Sequence, residues 1–247
     1  MVAEELRKHL VKTAAEQRIA DVRIGPRYTA AMLGDRNVGV AYTFRESTAA
    51  ESSVFTGRLS PVGRTTTEVL EYLGSDDGLE RTVGLAVANA LANRRGAGQH
   101  EGDVLHVLSI GFLDRVGMVG HFGPLVAPLE KRVRELVIFE RSAARPERVL
   151  PAEEALVELP RCDVAIITAT ALIFGDLDPL LGAAAGCREI ALVGASTPLV
   201  PTVFAPHGVT LLSSITVTDG PGILQVVSEG GGMGSFGERI RKVNVRL

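Results

Sequence analysis

The sequence predicts an α/β fold in which a small N-terminal α+β part, a hairpin plus helices, precedes a larger domain with a mostly parallel sheet. Three observations carry this expectation. The early chain pairs strand-like runs with helical patterns, and from about residue 116 short apolar runs alternate with helix-compatible segments. Between the two regimes lies GAGQHEG, residues 96–102, the kind of exposed, glycine-containing stretch at which domains join, so the parts are set at 1–97 and 98–247.

Taken in order, residues 3–18 place Leu6, Leu10, Val11 and Ala14 at helical spacing, which predicts an opening amphipathic helix. VRIGPRYTAAML and VGVAYTF, separated by GDRN, read as two arms of a hairpin. Residues 49–63 read as a loop, with a short strand at 54–59 as an option. Helices are expected over 66–73 and 79–95, the second ending at Gly96. In the second part strands are expected at 116–122, 136–140, 164–168, 190–193 and 209–217. Helices between them, at 127–135, 152–159, 179–185 and 199–205, would cover both faces of a Rossmann-like sheet. The tail EGGGMGSFGE reads either as a mobile flap over the strand ends or as a disordered link to a last strand, KVNVRL.

Composition narrows the classes of function. A formal net charge of −3 lacks the basic footprint of nucleic-acid binding. The longest apolar run, Val164 to Phe174, is too short to span a bilayer, and MVAEELRKHLVK carries charges where a signal peptide needs an apolar core. A cytoplasmic protein without membrane or nucleic-acid partners is the expectation. Cys162 and Cys187 form no local metal motif and read as small buried hydrophobes. Aromatic residues make up 4% of the chain, a weak basis for a stacking platform.

In an open α/β sheet the ligand lies outside the carboxyl ends of the strands. At those ends the sequence places GHFGP, then ER, then TATALIFGDLD, then GASTPLVP. Three of these four carry small, hydroxylated or glycine-rich residues that let backbone approach a ligand. The candidate ligand-binding residues are therefore Gly120, His121, Gly123, Glu140, Thr168, Thr170, Ser196 and Thr197. Each has a plainer alternative. Gly120 and Gly123 could serve only to turn the strand before Pro124, because VGMVGHFGPLV spaces its glycines unlike a dinucleotide phosphate loop. His121 could be a metal ligand, a general base or a structural histidine. Glu140 could grip a ribose or pair with Arg141, and the four hydroxyl residues could cap helices or bind an anion. Asp176 and Asp178 read as first-turn acids favoured by a helix dipole.

The series VGMVGHFGPLV, VIFER, CDVAIITATALIFGDLDPLL, VGASTPLVP and EGGG resembles the family named for putative heavy-metal chelation, a Rossmann-like domain of largely unknown function. The first part, with IGPRYTAAML and VGVAYTF, resembles the small domain that precedes it in many members, itself similar to the N-terminal domain of enolase. This resemblance implies a cleft at the strand ends that binds a metal or metal chelate. Against the family's T-G-T-T-L-x-N-G-T and G-P-S-T-P-L patterns, the chain has Ala169 for glycine, Phe174 for asparagine, Asp176 for threonine and Ala195 for proline.

Three readings of function remain open. One is a binding protein whose His121 contacts a divalent transition metal such as zinc, nickel or iron, or a metal chelate. Another is an enzyme using an adenosine-containing cofactor such as S-adenosylmethionine, with Glu140 on the ribose. The third is a structural or regulatory homodimer without turnover.

Overall fold

The computed structural model describes residues 1–43, 60–96, 98–142, 146 and 148–247, so the optional strand at 54–59 lies outside the described residues. The N-terminal part contains α1 (Val2–Thr13), β1 (Ile19–Ile24), β2 (Tyr28–Leu33), β3 (Val38–Tyr42), α2 (Thr66–Leu70) and α3 (Gly78–Ala92). In α1 the buried stripe is Val2, Leu6 and Leu10, one turn apart, while Val11 points outward. The run expected as one hairpin arm is two strands, because Gly25, Pro26 and Arg27 turn the chain and Gly25 N–H donates to the Tyr28 carbonyl at 2.9 Å. Proline has no N–H to give to a ladder, so a straight strand through residue 26 would lose a bond. The three strands form an antiparallel meander in the order β1-β2-β3.

Helix α3 is buried on nearly every side from Thr82 to Leu91, as expected of a helix enclosed between two layers. One side lies on β2 and β3, and the approach is close. A Cβ on Gly39 would sit 2.1 Å from Ala90 N and 2.3 Å from Ala86 O, so only glycine fits there. The other side meets the second part of the molecule.

That second part contains β4 (His100–Glu101), β5 (Arg115–Val119), α4 (Gly123–Glu130), β6 (Glu135–Glu140), β7 (Leu150–Pro151), α5 (Ala155–Glu158), β8 (Val164–Thr168), α6 (Ala171–Phe174) and α7 (Leu177–Ala183). It continues through β9 (Glu189–Val193), α8 (Pro201–Phe204), β10 (Leu211–Val217), α9 (Gly220–Ser228), α10 (Met233–Phe236) and β11 (Ile240–Arg246). The sheet order is β4-β11-β10-β9-β8-β5-β6-β7. From β7 to β10 all pairs are parallel, while β11 and β4 run antiparallel at one edge. Strands β8 and β9 are buried along almost their whole length, which is why their sequences are continuous apolar runs rather than alternating ones.

The glycine-rich tail is packed, contrary to its reading as a flap or a disordered link, while the last strand expected at KVNVRL is present as β11. Gly230 adopts φ 80°, Phe236 is fully buried against Tyr28, and the chain runs directly into β11. Helix α9, unexpected from its Gly-Pro-Gly start, is capped by Asp219, whose carboxylate accepts from Gly222 N–H at 3.0 Å. Its Ile223, Leu224 and Val227 share one apolar cluster with Ala30, Val38 and Val40 of the small sheet. No helix among the described residues is long and apolar enough to cross a membrane.

Candidate functional site

Strands β6 and β8 flank β5 on opposite sides, and the chain reaches β6 first and β8 later. The strand order therefore reverses between β5 and β8, the point at which neighbouring loops part and leave a crevice. A cleft of about 270 Å³ opens there. Its floor is the carboxyl ends of β5, β6, β8 and β9, and Tyr28 and Tyr42 of the small sheet stand over the β9 side. Three strand spacings make this floor about 14 Å long.

Two of the four floor strands, β5 and β9, end in glycines that clear space. Gly120 closes β5 with φ 91° and donates to the Phe139 carbonyl at 2.8 Å. A Cβ at Gly120 would meet both Cβ and Cγ2 of Thr168 at 3.0 Å, so the residue is required twice, by conformation and by contact. Gly194 closes β9 with φ 116° in the same way. Beyond Gly194, Ser196 is buried, and its hydroxyl accepts from Tyr42 N–H at 2.9 Å, tying the two parts together at the cleft wall.

Six of the eight candidate residues line the cleft: Gly120, His121, Glu140, Thr168, Thr170 and Ser196. Thr168 and Thr170 hydroxyls are 2.9 Å apart, and Thr168 Oγ1 also accepts from Thr170 N–H at 3.3 Å. Thr170 precedes α6 without a side-chain cap, so the helix-capping alternative does not describe it. His121 is exposed, and its backbone N–H donates to Glu140 Oε2 at 2.9 Å, while Glu140 Oε1 accepts from Ser142 N–H at 3.0 Å. Glu140 thus braces two loops through both oxygens.

The other two candidates lie elsewhere. Gly123 opens α4 in free space, where an added Cβ would meet nothing within 4 Å, so the close contact in this turn falls on Gly120 instead. Thr197 is fully buried behind the wall, where its carbonyl accepts from Asn93 Nδ2 at 2.9 Å and from Ser214 Oγ at 2.7 Å.

The sequence reading missed the aromatic and charged lining. Tyr28, Tyr42, Phe122, Phe139 and Phe174 all face this cleft, although aromatics are only 4% of the chain. Tyr28 packs edge-on to Tyr42 with ring centroids 6.3 Å apart, and burial, with Tyr42 beside it, pushes its phenol up to about 12. The Tyr28 hydroxyl has no hydrogen-bond partner among the described residues. Arg141 pairs with Asp176, not with Glu140, and its guanidinium lies 4.4 Å from the Phe174 ring centroid. Burial pushes the Asp176 carboxyl up, and Arg141 opposes that shift. Asp178, the other expected first-turn acid, accepts from Val2 N–H at 3.0 Å.

The donor set does not fit a bare metal ion. Among the described residues no three His, Cys, Asp or Glu side chains are grouped to hold one. Around the cleft, Glu140 is committed to two backbone N–H groups and Asp176 Oδ2 to Arg141, which leaves the His121 imidazole and Asp176 Oδ1 as open donors, short of a cage.

Residues 103–246 match a family model described as putative heavy-metal chelation, and residues 7–92 match a second model with the same description. The fold is similar to that of a protein of unknown function from Pyrococcus horikoshii, with a TM-score of 0.89 at 22% identity over 100% of both chains. It is also similar to a protein of unknown function from Desulfitobacterium hafniense, with a TM-score of 0.81 at 25% identity over 99% of this chain and 98% of that one. Both come from the family of the first model. No curated protein matches the chain.

Proposed function

The chain belongs to the family described as putative heavy-metal chelation, and from that membership and the cleft we propose that it binds a small organic ligand that brings its own metal-binding groups. The observation that carries this reading is the lining: five aromatic side chains with one open imidazole and no three-ligand cage among the described residues. A site built that way favours a planar, largely apolar body, and a metal would be held by the ligand's donors with His121 completing the set. Gly120 and Gly194 give the ligand room, and Thr168, Thr170, Ser196 and Tyr28 offer hydroxyls to orient it.

The test is native mass spectrometry of the purified protein paired with elemental analysis, before and after desalting with added nickel(II) alone. The expected result is an organic mass, with any metal present in proportion to it, and no nickel retained by ligand-free protein. A stoichiometric nickel ion held without any organic ligand, and lost in His121→Ala, would overturn the reading in favour of a direct ion site.

A second reading, an enzyme using an adenosine-containing cofactor such as S-adenosylmethionine, rests on the strand order. Numbered from β5 to β10, the parallel strands lie in the order 3-2-1-4-5-6, the Rossmann-like arrangement, with Glu140 at the end of the second. A thermal shift with S-adenosylmethionine that vanishes in Glu140→Gln would favour it.

A further inference from the structure

The charged end of the cleft narrows the ligand class. Arg141 is the sole lysine or arginine among the described residues lining the cleft. It is about half exposed, and one guanidinium nitrogen is taken by Asp176 Oδ2 while the ring of Phe174 supports its face. Nε and Nη1 have no hydrogen-bond partner among the described residues, so a rigid, stacked guanidinium presents unused donors at the cleft mouth. Arginine grips a planar two-oxygen acid along one edge, Nε with Nη2 or Nη1 with Nη2, and Asp176 sits on the nitrogen that both edges share. Of the two carboxylates nearby, Glu140 is turned to the backbone of His121 and Ser142. Asp176 is different. Its Oδ1 is buried without a partner, and its whole hold on Arg141 is through Oδ2.

Resting on the reading of this cleft as a small-ligand site, we propose that Arg141 is its anion receptor and that Asp176 occupies it until a ligand carboxylate takes its place. The ligand is then an organic acid, with its carboxylate at the β6 side and its planar body toward Tyr28 and Tyr42. Asp176 is itself a carboxylate against the guanidinium, so it marks the geometry of the group that replaces it. It also acts as a selectivity filter, since a neutral group offers Arg141 less than Asp176 already does, and only a second carboxylate competes.

Three matched probes test this by isothermal titration: indole-3-propionate, its amide, and tryptamine. Wild type is expected to bind the acid about tenfold more tightly than the amide. Arg141→Gln should erase that preference, and Asp176→Asn, which removes the competitor's charge, should tighten the acid several-fold. Equal binding of acid and amide, a preference that survives Arg141→Gln, weaker acid binding in Asp176→Asn, or no acid binding to either wild type or Asp176→Asn would each overturn the proposal. Melting temperatures of the variants confirm that they are folded. Ala152→Trp, which fills the lining beside Arg141, separates the two levels of the argument. Amide or amine binding that it blocks would keep the cleft and sink the anion receptor, and acid binding that it leaves intact would sink the cleft reading itself.

Discussion

Replacing Asn93 with alanine should cost about 3 kcal/mol of stability, and the structure says where each part arises. Asn93 stands at the end of α3, 8% exposed, with its side chain turned into the loop that follows β9. Its Nδ2 donates to the Thr197 carbonyl at 2.9 Å and to Ser214 Oγ at 3.0 Å, and its Oδ1 accepts from Leu199 N–H at 2.8 Å. After truncation the Thr197 carbonyl keeps Ser214 Oγ at 2.7 Å, but Leu199 N–H is left buried with no partner. An orphaned buried donor costs about 1–3 kcal/mol, and the two lost Nδ2 bonds add about 1 kcal/mol between them after the surviving partner is counted. Ser214→Ala is the control. It removes one hydroxyl and orphans no backbone group, so it should cost only about 1 kcal/mol. The assay is urea unfolding followed by circular dichroism, with the midpoints of both variants compared at equal slope. A loss below about 1 kcal/mol for Asn93→Ala, or one no larger than that of Ser214→Ala, would refute the claim that this side chain holds the cleft wall.

Two further perturbations follow from the same geometry. Gly120→Val should cost about 2–4 kcal/mol, from a positive φ and from overlap with Thr168, whereas Gly123→Val should cost less than about 1 kcal/mol; thermal melts that rank the two alike would contradict this. Asp114 is held below the usual carboxylate range by hydrogen bonds from Arg188, and by Gly111 N–H, against the effect of burial. Because its folded value is depressed, its contribution is present above the ordinary value of 3.8 and lost as pH falls through and below it. Asp114→Asn should therefore be about 1–2 kcal/mol less stable at pH 7, with the gap closing in acid; a gap independent of pH would show that the charge is not the cause.

Much of the molecule is legible in its sequence, for reasons that differ between elements. Strands β8 and β9 announce themselves because a strand covered on both faces must be apolar throughout. Helix α9 does not, since Gly220, Pro221 and Gly222 look like a turn, and only the Asp219 cap makes them a helix start. In the site, the strand-end rule finds Gly120, His121, Glu140, Thr168, Thr170 and Ser196, because those positions follow from topology alone. Thr197 lies one residue past the lining, and Gly123 opens α4. Arg141 is missed because its partner is 35 residues away and on a different loop. Phe174, read from sequence as a departure from the family motif, and Asp176, read as another and as a first-turn acid, turn out to be the two side chains that hold Arg141. Tyr28 and Tyr42 could have been found: they are register partners across β2 and β3.

The bonds of α3 bear on how this chain could be cut. The two family models divide it between residues 92 and 103, yet Asn89 and Asn93, at the end of that helix, donate to the carbonyls of Ala195 and Thr197. Tyr42 reaches across to Ser196 as well. A fragment beginning at residue 103 would keep every floor strand of the cleft and lose its roof, together with the supports of the wall that follows β9. Splitting the gene at the apparent seam would give two pieces, neither containing the whole cleft; co-expressing the halves would restore it only insofar as they reassemble along α3.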